Sequence, residues 1–169
     1  YEIAQCLVGS EMCIRDSSPI RQDGLMQVGR NRWDLFYGFG KDEDNDMGWN
    51  WRTTFDHHPT LEEVKDTIIT QINSNAQKAI LEDYEWNGHK VWLSDENQRN
   101  YALAYGLAKD GDLKTMPTVK FGSDDDPFLY TFKDVEELTS FAIGMQKHIQ
   151  TCLESAWKEK EEIDWSLFY

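Results

Sequence analysis

The stretch from Asp134 to Glu161 constrains the fold of this chain more than any other part of it. Its apolar residues recur at steps of three and four, which is the spacing of a helix face that packs on a core. These residues are Val135, Leu138, Ala142, Met145, Ile149, Leu153, Ala156 and Trp157, with Phe141 beside them. Asp134 followed by Glu137 is the pattern of a capping box, and the helix would extend about 40 Å. The rest of a small domain can therefore pack against this one helix.

The region from Arg32 to Phe55 predicts a β-hairpin with an aromatic face, and a helix follows it. The residues that share this face are Trp33, Leu35, Tyr37 and Phe39 on the first strand and Trp49, Trp51, Thr53 and Phe55 on the second. Thr60 and Glu63 form the next capping box. The inward stripe of the helix that they open consists of Leu61, Val64, Ile68 and Ile72, with Ile69 at its margin.

A second hairpin is predicted around Asn87 and Gly88, because both residues tolerate a positive φ. Its predicted cross-strand pairs are Glu85 with Lys90, Trp86 with His89, and Tyr84 with Val91. Ser94 is the predicted N-cap of a helix that ends near Lys109. The inward residues of that helix are Tyr101, Ala104, Tyr105 and Ala108.

A third hairpin precedes the long helix and completes a repeated plan. Its strands are predicted at Thr118–Phe121 and Phe128–Phe132. The residues on its common face are Val119, Phe121, Phe128, Tyr130 and Phe132. The chain thus reads as three successive units, each a β-hairpin followed by a helix. The predicted fold class is α+β, with antiparallel sheets packed on one face by helices and a long C-terminal helix.

The charge and composition of the chain argue against several classes of function. Lys and Arg number 17 against 31 Asp and Glu, a net charge of -14, so most of the surface would repel nucleic acid phosphates. No apolar run reaches the length of about eighteen residues that a membrane-spanning helix requires. Cys6, Cys13 and Cys152 lack the spacing of a zinc site or a disulfide framework. We expect no cofactor, no membrane partner and no nucleic acid partner.

The first seventeen residues differ in character from the remainder. The string from Cys6 to Ser17 resembles the translation of a sequencing adapter that occurs at the ends of assembled metagenomic reading frames. We therefore expect residues 1–17 to be an artefact or a disordered leader, residues 18–31 to be a linker, and residues 32–169 to form a single domain. A signal peptide is the alternative, but Tyr1 and Glu2 supply no basic n-region.

Several downstream motifs resemble a domain of unknown function that tailed phages and prophages of gut bacteria encode. They are WNGHKVWLSDENQ at 86–98, the hairpin at 119–132 and WKEKEEIDW at 157–165. The resemblance covers about residues 33–169. It implies a virion, tail or assembly context, and hence the cytoplasm of the bacterial host and the virion as locations. It implies no catalytic residue, because the family has no established activity.

Two acidic hairpin tips are the candidates for a cation site. Their carboxylates are those of Asp42, Asp44 and Asp46 at one tip and Asp124 and Asp126 at the other. The first tip alternates as calcium ligands do, but an EF-hand loop would need Gly and Glu at the positions of Met47 and Thr53. We interpret both tips as solvated turns, with a cation held jointly by the two tips as the alternative.

His57 and His58, next to Asp56, could form a general-base pair, part of a metal site, or a loop that leads into the helix. Adjacent residues of an extended segment point in opposite directions, and no third ligand lies nearby in the sequence. The loop is therefore our interpretation. Neither a serine nucleophile elbow nor a glycine-rich phosphate loop occurs, so we expect no enzymatic activity.

The candidate interaction residues are aromatic. They are Trp92 in the second hairpin and Trp165, Phe168 and Tyr169 in the C-terminal tail. Such residues either pack back onto their own domain or anchor another subunit, since Trp and Tyr are frequent hot spots of interfaces. The sequence leaves both readings open.

These observations favour a non-enzymatic, phage-encoded protein-binding module that acts as a virion or tail component or as an assembly factor. Its partner would be another phage protein or a second copy of the chain. One alternative is a cation-dependent hydrolase that uses the acidic tips with His57 or His58. The other alternative is an acidic inhibitor that mimics nucleic acid.

Overall fold

A computed structural model describes residues 6–8, 11–18, 23–42, 47–122 and 126–169. In chain order the elements are β1 (Cys6–Val8), β2 (Glu11–Ser18), β3 (Gly24–Gly29), β4 (Arg32–Asp42), β5 (Met47–Phe55), α1 (Leu61–Glu82), β6 (Glu85–Trp86), β7 (His89–Lys90), α2 (Asp95–Lys109), β8 (Thr118–Gly122), β9 (Pro127–Thr131), α3 (Val135–Glu161) and a 3-10 helix (Trp165–Phe168). The sheets are antiparallel, so the α+β class and the long C-terminal helix are confirmed. No helix in these ranges combines the length and the apolar character needed to cross a bilayer.

The chain divides into two compact units. The first consists of Tyr1–Gln71 and Glu162–Tyr169, and the second of Ile72–Glu161. The boundary between them falls within α1 and just after the end of α3. The assignment of residues 32–169 to a single domain stays a prediction.

The first unit contains a sheet with the strand order β1-β2-β5-β4-β3. The predicted hairpin forms its centre, because β4 and β5 pair with Trp33 opposite Phe55 and Leu35 opposite Thr53. The register shifts after Tyr37, where Gly38 adopts a φ of +68°. This bulge requires a residue that tolerates the left-handed region, which is why a glycine stands there.

The start of the chain contributes strands to this unit. Residues 1–17 were expected to be an artefact or a disordered leader, but the described strand β2 pairs with β5 along the register from Ile14 opposite Arg52 to Ser18 opposite Gly48. Residues 18–31 were expected as a linker, but β3 pairs with β4. A two-stranded hairpin leaves unpaired backbone groups at both edges, and extended neighbouring segments can satisfy them. The pairing says nothing about the origin of the first residues.

The start of α1 confirms its predicted capping box. The backbone N–H of Thr60 donates to Glu63 Oε2 at 2.7 Å, and the N–H of Glu63 donates to Thr60 Oγ1 at 3.3 Å. Val64 and Ile68 are buried as expected. Leu61 is 38% exposed, so its assignment to the buried stripe is wrong. The side chains of a helix lean toward its N-terminus. The side chain of Leu61, the first residue of α1, therefore extends beyond the residues that cover the stripe.

The two hairpins of the second unit follow the predicted registers. Glu85 pairs with Lys90 and Trp86 with His89, and the turn between them has φ values of 50° at Asn87 and 80° at Gly88. In the third hairpin the cross-strand pairs are Thr118 with Thr131, Val119 with Tyr130, Lys120 with Leu129 and Phe121 with Phe128. The α2 and α3 helices begin and end within one residue of the predicted positions.

The aromatic ring of Phe141 lies at the centre of the second unit. Phe141 is fully buried, and its ring centroid lies 5.1–5.8 Å from those of Tyr84, Trp86, Tyr101, Phe121 and Phe132. Leu138, Met145 and Ala156 of the same helix are also buried. Trp157 is 51% exposed, so its place in the stripe is wrong. It follows the buried Ala156 directly, and one residue turns the helix by about 100°.

Replacing Phe141 by Ala should lower the free energy of unfolding by about 3–5 kcal/mol, because the ring fills the space among five aromatic neighbours. Ile143 is the matched control on the same helix, since its side chain is 50% exposed. Ile143→Ala should change the stability by no more than about 0.5 kcal/mol. Urea unfolding followed by circular dichroism measures both values, and similar effects of the two substitutions would contradict a core centred on Phe141.

Gly144 and Gly106 should respond oppositely to substitution by Ala. A Cβ on Gly144 would lie 2.6 Å from the hydroxyl oxygen of Tyr84, which donates to the Phe141 carbonyl at 3.0 Å. Gly144→Ala should therefore destabilise by about 1–3 kcal/mol. A Cβ on Gly106 of α2 meets no atom within 4 Å, so Gly106→Ala should stabilise by up to about 1 kcal/mol.

The cause of the Gly144 effect can be isolated by removing the Tyr84 hydroxyl. In a Tyr84→Phe background, Gly144→Ala should cost much less than in the wild-type background, because the contacting oxygen is absent. A double-mutant cycle from thermal or urea unfolding measures this difference. An unchanged cost in both backgrounds would mean that another contact opposes the added methyl group.

Candidate functional site

The candidate functional site is a groove of about 700 Å³ between α2 and β8 in the second unit. Its described lining residues are Trp92, Asn97, Asn100, Tyr101, Ala104, Pro117, Thr118, Val119, Lys120 and Gly122. One wall is the helix and the other is the strand with the residue before it. The lining combines aromatic and aliphatic surface with carboxamide and hydroxyl groups and the ammonium of Lys120, which is typical of a ligand-binding or active site.

The segment that carries Trp92 alternates between buried and exposed positions. Val91 and Leu93 are almost completely buried, whereas Trp92 between them is 47% exposed. Burial of both neighbours fixes the backbone and leaves the indole at the groove. Trp92, which the sequence analysis gives as an interaction candidate, is therefore accessible at the groove.

Two side chains of α2 donate hydrogen bonds to the backbone of this segment. The side-chain amide of Asn97 donates to the Trp92 carbonyl at 2.8 Å, and that of Gln98 donates to the Leu93 carbonyl at 2.8 Å. Ser94 caps the helix by accepting a hydrogen bond from the Asn97 N–H at 3.2 Å. The start of α2 and the Trp92 segment are therefore joined by the same few residues.

Tyr101 forms the floor of the groove and links it to the core. It is 5% exposed, and its ring makes an edge-to-face contact with Phe141. Burial raises the pKa of Tyr101, so its hydroxyl stays neutral and is no general base near pH 7. The floor is therefore an uncharged aromatic surface.

Exposed apolar side chains continue the helix wall beyond the groove. Leu103 is 63% exposed and Leu107 is 37% exposed. Leu107 follows the lining residue Ala104 by three positions, and Leu103 follows the lining residue Asn100 by three, so all four lie on neighbouring parts of one helix face. A partner that occupied the groove could also cover these two leucines.

A second cavity, of about 650 Å³, lies where the end of α1 approaches the start of α2. Its described lining includes both signs of charge, with Lys78 and Arg99 beside Asp95 and Glu96, and few apolar side chains. Such a mixed polar lining resembles ordinary solvated surface. It offers no defined ligand chemistry.

The C-terminal interaction candidates belong to the first unit. Phe168 is 5% exposed, which agrees with the reading in which this ring packs back onto the chain. Trp165 is partly buried, and the Lys65 ammonium lies 5.4 Å from its ring centroid. Tyr169 is 57% exposed and its hydroxyl donates to the Pro59 carbonyl at 2.8 Å. Trp165 and Tyr169 stay candidates.

The acidic tips fall largely outside the described residues. Asp44, Asp46 and Asp124 are not among them, and Asp42 is described by its backbone alone. Asp126 is exposed and directly precedes β9. Within the described ranges, no group of three His, Cys, Asp or Glu side chains is placed to hold a metal ion.

His57 takes part in the cap of α1. Its Nδ1 lies 2.8 Å from Asp56 Oδ1 and its Nε2 lies 3.0 Å from Glu63 Oε1. A neutral imidazole has a single N–H and could donate to one carboxylate only, so this arrangement favours the protonated ring. His58 instead packs its ring 4.3 Å from that of Trp33. The two histidines therefore point to different partners, as adjacent residues of an extended segment do.

Comparison with known proteins gives no match, since neither a family model nor a curated protein nor a solved structure matches the chain. The resemblance to the phage domain thus stays a prediction. The function has to be argued from the groove and its surroundings.

Sequence reasoning identified Trp92 but missed the rest of the groove. Ala104 was assigned to the inward face of α2, and Thr118 and Val119 were assigned only to a strand. The alternation of buried and exposed residues around Trp92 was the one local signal available. The second wall begins at Pro117, 25 residues after Trp92, and no local pattern reports that approach.

The ionisation of His57 should make stability depend on pH. Hydrogen bonds to Asp56 and Glu63 raise the pKa of His57, so its contribution is complete below the unfolded pKa of about 6.5 and disappears as the pH rises through the higher folded value. His57→Asn should therefore lower the melting temperature more near pH 5.5 than near pH 9. Thermal unfolding at both pH values measures the difference.

The hydrogen bonds of His57 with Asp56 and Glu63 can also be tested by measuring the pKa of His57 directly. Hydrogen bonds lower the pKa of Glu63 to about 2, and those from Thr60 contribute more than the one from His57. Glu63 therefore stays ionised throughout the titration of His57. A histidine NMR titration should give a His57 pKa above its ordinary value, and Asp56→Asn or Glu63→Gln should reduce it. A His57 pKa at or below about 6.5 in the wild type would contradict the bridge.

Proposed function

We propose that this chain is a non-enzymatic protein-binding module whose docking site is the groove between α2 and β8. The observation that carries the proposal is the position of Trp92, half exposed at the groove while both of its neighbours are buried. An aromatic anchor in a concave site surrounded by polar groups is the usual arrangement of an interface hot spot.

The surroundings of the groove support the same function. Leu103 and Leu107 extend the apolar surface along α2, and burial of such exposed side chains is a main source of binding free energy. The carboxamides of Asn97 and Asn100 supply polar groups at the lining. A partner that covered this surface would bury an aromatic centre and meet hydrogen-bonding groups around it.

The biological context of the proposal comes from the resemblance to the phage domain. In that context the chain is a small virion or tail component or an assembly factor. Its partner is a structural protein of the phage or another copy of the chain. The negative net charge of -14 supports a protein partner over a nucleic acid partner.

Trp92→Ala should strongly weaken partner binding, and Trp157→Ala should not. Both tryptophans are about half exposed in the second unit, at 47% and 51%, but only Trp92 is among the described residues that line the groove. Affinity purification of the full chain from cells that produce the phage, followed by mass spectrometry, should recover a phage structural protein. Recovery should fall by about tenfold or more with Trp92→Ala.

Two control measurements accompany the comparison of these two variants. The melting temperatures of both variants must stay close to that of the wild type, which separates loss of binding from loss of fold. Size-exclusion chromatography with light scattering reports self-association. A full chain that is monomeric and recovers no structural protein would overturn the proposed function, as would an equal loss of binding in the two variants.

A further inference from the structure

The outer side of α2 carries a row of four residues that ends at the C-cap of the helix. They are Arg99, Leu103, Gly106 and Asp110. Steps of four, three and four residues keep them on one side of a helix. Arg99 and Asp110 are exposed, and Leu103 is 63% exposed. The α2 row therefore lies on the surface, apart from the buried side of the helix.

Gly106 is the member of the α2 row that the chain itself does not explain. A glycine within a helix is destabilising relative to Ala, and it often marks a place where another group comes close. Gly144 of α3 fits that rule, because a Cβ there would lie 2.6 Å from the Tyr84 hydroxyl oxygen. At Gly106 no described atom lies within 4 Å of the Cβ position. A close neighbour of Gly106 has to come from another molecule.

The two charged ends of the α2 row also lack partners within the part of the chain that the structure describes. Neither the Arg99 guanidinium nor the Asp110 carboxylate makes an ion pair or a hydrogen bond there. Asp110 is the C-cap of α2, where a carboxylate lies at the negative end of the helix dipole and is destabilising. A cation supplied by another molecule would offset that effect.

The α2 row is complementary to itself when two copies of the helix run antiparallel. Its spacing is symmetric, so this arrangement places each Arg99 opposite the Asp110 of the other copy and each Leu103 opposite the Gly106 of the other copy. A cation then meets an anion at both ends of the row. At both inner positions a large side chain meets a residue without one, which is the pairing that lets two helices pack closely.

The residues beside the row follow the same rule. Leu107 is 37% exposed and Ala102 is exposed, and the same antiparallel register places each Leu107 opposite the Ala102 of the other copy. The dipoles of two antiparallel helices are opposed, which is the favourable arrangement. The exposed apolar side chains of α2 are thus all matched by small residues of a second α2.

From these observations we infer that the chain forms a two-fold symmetric homodimer in which α2 packs antiparallel on α2 of a second copy. Such an interface is isologous, so every contact occurs twice. The inference rests on the proposed protein-binding function in one respect, since it names the partner that covers Leu103 and Leu107. Its contacts do not involve Trp92, so the failure of one proposal can be distinguished from the failure of the other.

The overall charge of the chain does not prevent this association. The net charge of -14 gives two copies a mutual repulsion. At physiological ionic strength, repulsion between exposed charges more than about 8 Å apart is largely screened. The charges that face each other across the paired rows are of opposite sign. Self-association should therefore be measured at physiological ionic strength.

Leu103→Glu should weaken the dimer, and Ile143→Glu should not. Sedimentation equilibrium of the full chain at concentrations up to about 1 mM gives the dissociation constant of the dimer. Leu103→Glu should raise this constant about tenfold or more, because a carboxylate is buried at two symmetric places. Ile143 of α3 is the matched control, since it is 50% exposed. Its substitution should leave the constant within about twofold of the wild type.

Arg99→Glu and Asp110→Lys test the register of the two helices. Each variant alone places like charges opposite each other at both ends of the paired rows, so each should dimerise about tenfold or more weakly than the wild type. An equimolar mixture of the two variants should form a heterodimer of nearly wild-type affinity, because both end contacts then join opposite charges. The double variant should likewise dimerise with itself.

Gly106→Leu should separate association from stability. The folded monomer should be at least as stable as the wild type, because the site is open and Leu has a higher helix propensity than Gly. The dimer should be weakened about tenfold or more, since the added side chain takes the space of Leu103 of the other copy. Thermal unfolding of dilute protein, followed by circular dichroism, measures the first effect and sedimentation measures the second.

Three results would overturn the inferred dimer. They are a wild-type chain that stays monomeric at about 1 mM, equal effects of Leu103→Glu and Ile143→Glu, and a mixture of the two charge variants that stays monomeric. If the wild type is monomeric but recovers a phage structural protein through Trp92, the homodimer is wrong and the proposed protein-binding function stands.

Discussion

The packing of aromatic rings around Phe141 is the interaction on which the second unit depends. Its neighbours come from three parts of that unit: Tyr84 and Trp86 from the second hairpin region, Tyr101 from α2, and Phe121 and Phe132 from the third hairpin region. Neither small hairpin could bury its apolar face alone, because two-stranded sheets are marginal in water. The long α3 helix supplies the missing surface, so hairpins and helices become stable together.

Polar contacts at the rim of this core hold the two hairpins in one arrangement. The Tyr130 hydroxyl donates to Glu137 Oε1 at 2.5 Å and accepts from the Asn87 side-chain amide at 3.1 Å. Glu137 also accepts from the Lys133 N–H at 2.7 Å, so one carboxylate caps α3 and fixes β9. The ring of His89 stacks on Phe128 at 3.8 Å. These contacts are directional, and they add a defined geometry to the apolar packing.

The groove is a consequence of this arrangement rather than a separate feature. Tyr101 is both a neighbour of Phe141 and the floor of the groove, and β8 carries the buried Phe121 two residues after Val119 of the lining. Both walls are thus positioned by the core. For the docking site that we propose, such support would leave little to be ordered when a partner binds, and preorganisation of this kind increases affinity by reducing the entropic cost of binding.

The sequence by itself determined the elements whose causes are local. The caps at Thr60 and Ser94, the positive φ of Asn87 and Gly88, and the period of α3 each depend on residues within one or two turns, so their predicted positions agree with the structure. The tertiary structure decided what depends on distant partners: the pairing of β2 and β3, the burial of Phe168, the exposure of Leu61 and Trp157, and the approach of β8 to α2. Hydrophobic burial is not directional. A pattern of apolar residues therefore specifies that a face will be covered, and only the completed fold specifies by what.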